Sequence, residues 1–428
     1  MCYKAGCLAY ARILLWNSLF VRFQLSNIVL LSFSIIIFSC DSVEVEVEGE
    51  LARTSSRIDS PFESPIWSGK HAVGVRDFWL EDESRDETLA KEVGGKRSIF
   101  IRVHFPAVLD ESLPKFKVVN DFEKEQFAFR LGGVSPDIAY RNFDNAFWNV
   151  YLNAEIDNRL DAYPLLVYSH GHGAHALWQE IVSADGYELE FIQGLNPAWI
   201  ADIASHGYIV VSIIHPYGIA HVHSDGKFRP AVSLPKNDFG AHGPIWIKDQ
   251  RFVLDEIESM NRDPSSFLFS RVSMNQIGVF GHSYGGATSY HTAVQDDRVK
   301  AGVDMDGTIF HSDDTNLSKP FALFVRDDTL IEHMFDGEQL FATMHDDTYL
   351  LRFKDFTHSS FGDGARLQDQ WDFPDSRIGN SDLNAYRVHE LLSESIRQFF
   401  DKYLKLDTAT WIDETAKSPP EISVEKIH

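Results

Sequence analysis

The stretch QIGVFGHSYGGATSY, Gln276 to Tyr290, decides the fold. An apolar run, Ile277 to Phe280, leads into Gly281-His282-Ser283-Tyr284-Gly285, and a segment with helical character follows. This is the pattern G-x-S-x-G between a predicted strand and a predicted helix, the context in which the motif has meaning. The reason is steric. A strand that turns at once into a helix crowds the residues two before and two after the serine, so neither can carry a side chain. The serine is held in a strained conformation and its hydroxyl is displayed at the end of the sheet. The following helix aims its N-terminal dipole at the same spot, which favours a developing negative charge. The plainer alternative is a glycine-rich turn with an incidental serine.

Outward from this turn the chain alternates. YPLLVYSHG (Tyr163 to Gly171), YIVVSIIHP (Tyr208 to Pro216), VKAGVDMDG (Val299 to Gly307), KPFALFVRDD (Lys319 to Asp328) and TYLLRFKDF (Thr348 to Phe356) read as short buried strands. Between and after them, PAWIADIASHG, WIKDQRFVLDEIESMNR, GGATSYHTAVQ and LNAYRVHELLSESIRQFFDKYLK read as helices. HAVGVRDFWL and RSIFIRVHFPA predict an early pair of strands, with EDESRDE (Glu81 to Glu87) as the turn between them. Residues 109–161 predict one or two helices over the core, with NAFWNVYLNAEI favoured as a packed helix over a lid or lipid-contacting surface. Continuous apolar strands alternating with helices imply an α/β fold, a mostly parallel sheet covered on both faces. Ligands of such sheets sit at the carboxyl ends of the strands, so chemistry is sought just after each one.

The chain of 428 residues is long enough for a sizeable core, and its 44% hydrophobic content is that of a globular protein. A net charge of -24 argues against nucleic acid, whose phosphates would be repelled. The three cysteines, Cys2, Cys7 and Cys40, all lie in the first forty residues, which leaves the body without a disulfide framework or thiol nucleophile. Lys4, Arg12 and Arg22 precede the apolar run NIVLLSFSIIIFSC, which is short for a bilayer span. Ending at Cys40, it resembles a bacterial lipoprotein signal with Cys40 lipidated; an uncleaved membrane anchor is the alternative. The expected organisation is a signal at 1–39, an acidic polar tether at 40–65, a catalytic domain at 66–406 and a polar C-terminal tail at 407–428. The body would be exported and held at the membrane of a bacterial envelope.

A serine needs a base to become nucleophilic, and in this fold the chain order is serine, acid, histidine. His358, in KDFTHSSFGD just after the last strand, is the best base; His291 and His389 fall within predicted helices. For the acid, Asp306 ends one strand and Asp327 and Asp328 end another, and the residues alone do not choose. His170, His172 and His175 form H-x-H-x-x-H, and His221 pairs with His223, but glycines interrupt the first set and no carboxylate-rich pattern accompanies them. A metal is therefore not expected.

VGVRDFWLEDESR, YPLLVYSHGHGAHALW, IASHGYIVVSIIHP, GVFGHSYGGATSYHTAVQDDRVKAGVDMDGTIF and FKDFTHSSFGD together resemble the platelet-activating-factor acetylhydrolases of the plasma type and their bacterial relatives. The resemblance runs from about Ala72 to about Leu404. It implies the α/β-hydrolase fold and ester hydrolysis through an acyl-enzyme, with Ser283 as nucleophile, His358 as base and Asp306 as acid. The oxyanion hole would be the backbone amides of His172 and Tyr284. It also implies no cofactor, and a substrate carrying a short or oxidised acyl chain at the second position of a glycerophospholipid. A general short-chain carboxylesterase or polyester hydrolase is the nearest alternative. A retired hydrolase fold that binds lipid or glycan at a surface is the alternative of another class.

Overall fold

Six of the predicted strands are apolar on both faces, and they form the centre of a single sheet. The computed structural model describes residues 64–90, 94–117, 146–172, 197–219, 221–229, 231–232, 239–310, 316–329, 338–362, 383–408 and 410–428, all within the unit Glu50–His428. The strands are β1 (Ala72–Asp86), β2 (Lys96–Ala107), β3 (Lys115–Lys117), β4 (Phe147–Leu152), β5 (Tyr163–Ser169), β6 (Ile209–Ile214), β7 (His221–Val222), β8 (Phe228–Arg229), β9 (Val272–His282), β10 (Val299–Met305), β11 (Phe321–Arg326), β12 (Thr348–Phe353) and β13 (Ile422–Lys426). All but β7 and β8 join one sheet, in the order β13-β12-β11-β10-β9-β5-β6-β2-β1-β4-β3. The run from β6 to β12 is parallel, while β2 lies antiparallel to β6 and β13 antiparallel to β12.

Among the described residues five helices cover this sheet: α1 (Pro197–Ser205), α2 (Phe239–Arg262), α3 (Tyr284–Gln295), α4 (Glu338–Thr343) and α5 (Ala385–Leu404). Alternation along the strands feeds two cores. Leu166, Tyr168 and Phe280 join Trp199 of α1 and Phe399 and Phe400 of α5 on one face. Leu165, Val167, Ile277 and Val279 join Val253, Leu254 and Ile257 of α2 and Tyr290 of α3 on the other. This is why β5 and β9 read as continuous apolar runs: every side chain has a core to enter.

Four expectations are corrected. EDESRD is strand, not turn: β1 runs to Asp86, opposite Lys96. Its charges have partners within the fold, because Asp82 Oδ2 accepts from Arg85 Nε at 2.5 Å and Arg85 Nη1 donates to Asp249 at 2.9 Å. Within 109–161 the described residues form β3 and β4 rather than helices, and residues 118–145 lie outside them. FWNVYL buries Trp148 and Val150 on one side, so its period is that of a strand. The body also begins before residue 66: the Asn149 backbone N–H donates to Ser64 Oγ at 2.7 Å, and Asn149 Nδ2 donates to the Pro65 carbonyl at 3.1 Å.

The fourth concerns the C-terminus, which is no loose tail. Residues 422–426 close the sheet as β13, and Trp411 and Ile412 are buried against α5. Its polar residues are consumed by pairing: Lys402 Nζ reaches Asp413 at 2.6 Å, and Arg387 forks onto Glu421. Removing residues 407–428 is expected to lower the urea midpoint of unfolding sharply, since burying Trp411, Ile412 and Ile422 is worth about 1.5–3 kcal/mol each. A truncated chain that unfolds at the wild-type midpoint would refute this packing.

Candidate active site

Ser283 sits between the end of β9 and the first residue of α3, with φ 54° and ψ -121°. A non-glycine residue at positive φ is strained, and here the surroundings enforce it. A Cβ added to Gly281 would lie 2.3 Å from the backbone of Gly285, and one added to Gly285 would lie 2.1 Å from the Ser169 carbonyl oxygen. The Ser283 N–H donates to the Met305 carbonyl at 2.8 Å, which ties the serine to the end of β10.

The residue after Met305 is Asp306, also at positive φ, 54°. Its Oδ2 lies 2.6 Å from His358 Nδ1 and accepts from Arg326 Nε at 3.1 Å. Burial opposes ionisation of Asp306, but the hydrogen bond and charge of His358, with Arg326, outweigh it and lower its carboxyl below the usual range. Asp328 is placed differently: its side chain is 70% exposed and its Oδ1 lies 3.4 Å from Arg326 Nη1. His358 opens a short 3-10 turn, His358–Phe361, and its ring lies 4.5 Å from that of His282, the residue before Ser283. The structure thus brings Asp306, His358 and the Ser283 turn together from the ends of three strands.

The strand end beside Ser283 is that of β5. A Cβ added to Gly171 would come within 3.2 Å of Ser283 Cβ, so the Gly171–His172 peptide runs along the serine. The His172 ring stacks against Trp246 at 5.9 Å and meets the Tyr284 ring edge-on at 5.6 Å. Trp246, Tyr284, Ile245 and Phe310 form an apolar wall there. Of the histidines weighed for a metal, His175 lies outside the described residues, and among those described no metal-holding cluster forms. His291 and His389 are buried packing residues, as helix positions allow.

Sequence reasoning missed four contributors. Arg326 ends β11 one residue before the acidic pair that drew attention. His282 lies half-buried beside His358, and desolvation lowers its pKa to about 3, so it stays neutral. His215 stacks on Trp246 at 4.1 Å and bonds Asp249 behind the β5 end. Asp304, buried below Asp306, accepts from the Gly307 N–H at 3.1 Å. Only the position of these residues at strand ends could have singled them out.

Residues 261–412 match the family described as "Platelet-activating factor acetylhydrolase, isoform II". The chain is 25% identical over 297 residues to a platelet-activating factor acetylhydrolase of Bos taurus, covering 61% of this chain and 59% of that protein. It is 22% identical over 348 residues to the enzyme of that name from Cavia porcellus, covering 73% and 74%. The chain therefore spans about three-fifths of the bovine relative. A ferulic acid esterase from Streptomyces cinnamoneus superposes with a TM-score of 0.68 at 22% identity, over 86% of this chain and all 100% of that one. The fold is that of the α/β hydrolases.

Asp304 offers a test of the electrostatics. Burial first, and Asp306 second, raise its pKa well above the ordinary carboxylate value. The native state then holds a proton that the unfolded chain has released, so this residue lowers stability as pH rises above the unfolded value. Asp304→Asn keeps an acceptor for Gly307 and removes the titration. Its melting temperature is expected to exceed wild type at neutral pH, with the gap closing toward about pH 4. A gap that is constant across that range would contradict a protonated Asp304.

Proposed function

We propose that the protein is a serine carboxylic ester hydrolase, similar to the platelet-activating factor acetylhydrolases that it matches. One observation carries this reading: a serine at strained positive φ on the strand-to-helix turn, with a histidine–aspartate pair 2.6 Å apart beside it. With Nδ1 held by Asp306, His358 presents Nε2 as the base. Ser283 Oγ attacks the ester carbonyl carbon while its proton passes to that nitrogen. The carbonyl oxygen becomes negative and is met by the His172 and Tyr284 amides, the latter at the positive end of α3. Collapse expels the alcohol, which takes the proton from His358, and leaves an acyl-enzyme. Water, deprotonated by the same nitrogen, then releases the acid. Asp306 orients His358 throughout and offsets its positive charge.

The substrate proposed is a glycerophospholipid with a short or oxidised acyl group at the second position. The aromatic wall of Trp246, Tyr284 and Phe310 beside the serine suits a compact acyl chain. A general short-chain carboxylesterase is the second reading, supported by the polar edge that His172 and His242 give this wall. Turnover of short-acyl phospholipids well above that of soluble p-nitrophenyl esters favours the first; the reverse order favours the second.

Ser283→Ala is expected to lower kcat by at least about 10³-fold and to abolish labelling by a fluorophosphonate. Persistent turnover would sink the mechanism. Asp306→Asn is expected to lower kcat by about 10³–10⁴-fold, whereas Asp328→Asn leaves it near wild type. Loss confined to the Asp328 variant would reverse the assignment of the acid. The same reading places the chain at an envelope membrane through a lipidated Cys40, a residue outside those described. A mass for the mature N-terminus without a diacylglyceryl group would exclude that anchor.

A further inference from the structure

Behind the strand end at Ser169 lies a hydrogen-bonded array in which every proton can be placed. Arg97 forks onto Asp249, Nε to Oδ1 at 3.1 Å and Nη2 to Oδ2 at 2.6 Å, and all four of Arg97, Asp249, His215 and His170 are buried. Burial opposes ionisation of Asp249, but Arg97 and His215 outweigh it, and the carboxyl stays a carboxylate. His215 Nδ1, 3.0 Å from Asp249 Oδ2, must therefore carry the proton. Its Nε2 is then an acceptor, filled by the hydroxyl of Ser169 at 3.0 Å, and Gln250 Nε2 in turn donates to Ser169 Oγ at 3.1 Å. The chain of bonds has one direction only.

It continues through the backbone. The His215 N–H donates to His170 Nε2 at 3.0 Å, so His170, neutral in its buried site, holds its proton on Nδ1. That Nδ1–H donates to the Gly171 carbonyl oxygen at 2.6 Å. The Gly171 C=O and the His172 N–H belong to one planar trans peptide, and so point in opposite directions. A bond that anchors the carbonyl on one side turns the N–H to the opposite side, and Gly171 itself lies against Ser283.

We infer that His170 is a positioning residue for the oxyanion hole: its Nδ1–H sets the plane of the Gly171–His172 peptide, and the His215 backbone N–H, on a residue anchored by the Arg97–Asp249 pair, locks His170 in the tautomer that does so. His170 touches neither substrate nor reacting atoms. Its effect is on the transition state, because a rotated peptide withdraws a donor from the charged oxygen while leaving ground-state binding in place. The inference rests on the ester hydrolase reading.

Two substitutions separate positioning from mere packing. Asn places an amide N–H where Nδ1 was, so His170→Asn keeps the bond to Gly171 and leaves the His215 N–H without an acceptor. Gln places its amide near Nε2, so His170→Gln keeps the acceptor for His215 and loses the bond to Gly171. Both are measured below their melting temperatures, per folded molecule, alongside Ser283→Ala. His170→Gln is expected to lower kcat by about 10- to 100-fold with KM within about 3-fold, and to weaken a trifluoromethyl ketone inhibitor by the same factor as kcat/KM. His170→Asn is expected to stay within about 5-fold of wild-type kcat, yet to melt lower than the Gln variant. Activity that follows melting temperature, with Gln at or above Asn, overturns the inference. If Ser283→Ala itself retains turnover, it is the hydrolase reading that fails.

Discussion

The close approach of Gly285 to the carbonyl oxygens of Ser169 and His170 governs the geometry of everything at this end of the sheet. A Cβ at residue 285 would lie 2.1 Å from one oxygen and 2.3 Å from the other, so the first turn of α3 can rest directly on the end of β5. That contact brings the Gly171–His172 peptide beside Ser283. Gly281 meets the same requirement from the strand side, and the strain of the turn falls on the serine between them. Residues far apart in the chain, at 171, 283, 306 and 358, therefore gather at a single crevice beyond the carboxyl ends of β5, β9, β10 and β12.

Around this crevice, charge is handled by partnership. Asp306 is buried and remains low in pKa because His358 and Arg326 both face it, whereas Asp304, two residues earlier and without such neighbours, is pushed the other way. Asp249 is deeper still and is kept ionised by a bidentate Arg97, with Arg85 sharing its Oδ1. Buried ion pairs of this kind add little net stability, since desolvation offsets their attraction. What they provide here is direction: each fixed carboxylate dictates the tautomer of a histidine, and each histidine dictates the orientation of the next group.

Much of the architecture was legible in the residues. The parallel strands from β5 to β12 carry apolar side chains on both faces, and that pattern has few other meanings. The failures share a cause. EDESRD reads as a turn because its charges look solvated, yet Asp82, Arg85 and Asp249 satisfy one another across the fold. FWNVYL reads as a helix because aromatic residues crowd both of its faces, and Trp411 with Ile412 reads as tail because the surrounding sequence is polar. In the first two cases the deciding partner is more than sixty residues away in the chain, and in the third it lies on the preceding helix α5, across a polar stretch, so no local pattern registers it. The same holds for the site: Ser283 announces itself through flanking glycines, while Arg326, His215 and Asp249 carry no local mark.

The sequence by itself determined the strand-to-helix turn, because steric exclusion between neighbours is a local property and only glycine satisfies it. It likewise determined the two-faced apolar strands that make the sheet. Tertiary structure alone decided which acid meets His358: Asp306 and Asp328 both end strands, but only the first is placed by the Ser283–Met305 bond within 2.6 Å of the imidazole. It also decided which way the buried protons of His170 and His215 lie. Proton placement depends on what stands at each end of a hydrogen bond, and those ends are supplied by β2, β5, β6 and α2 only once they are assembled.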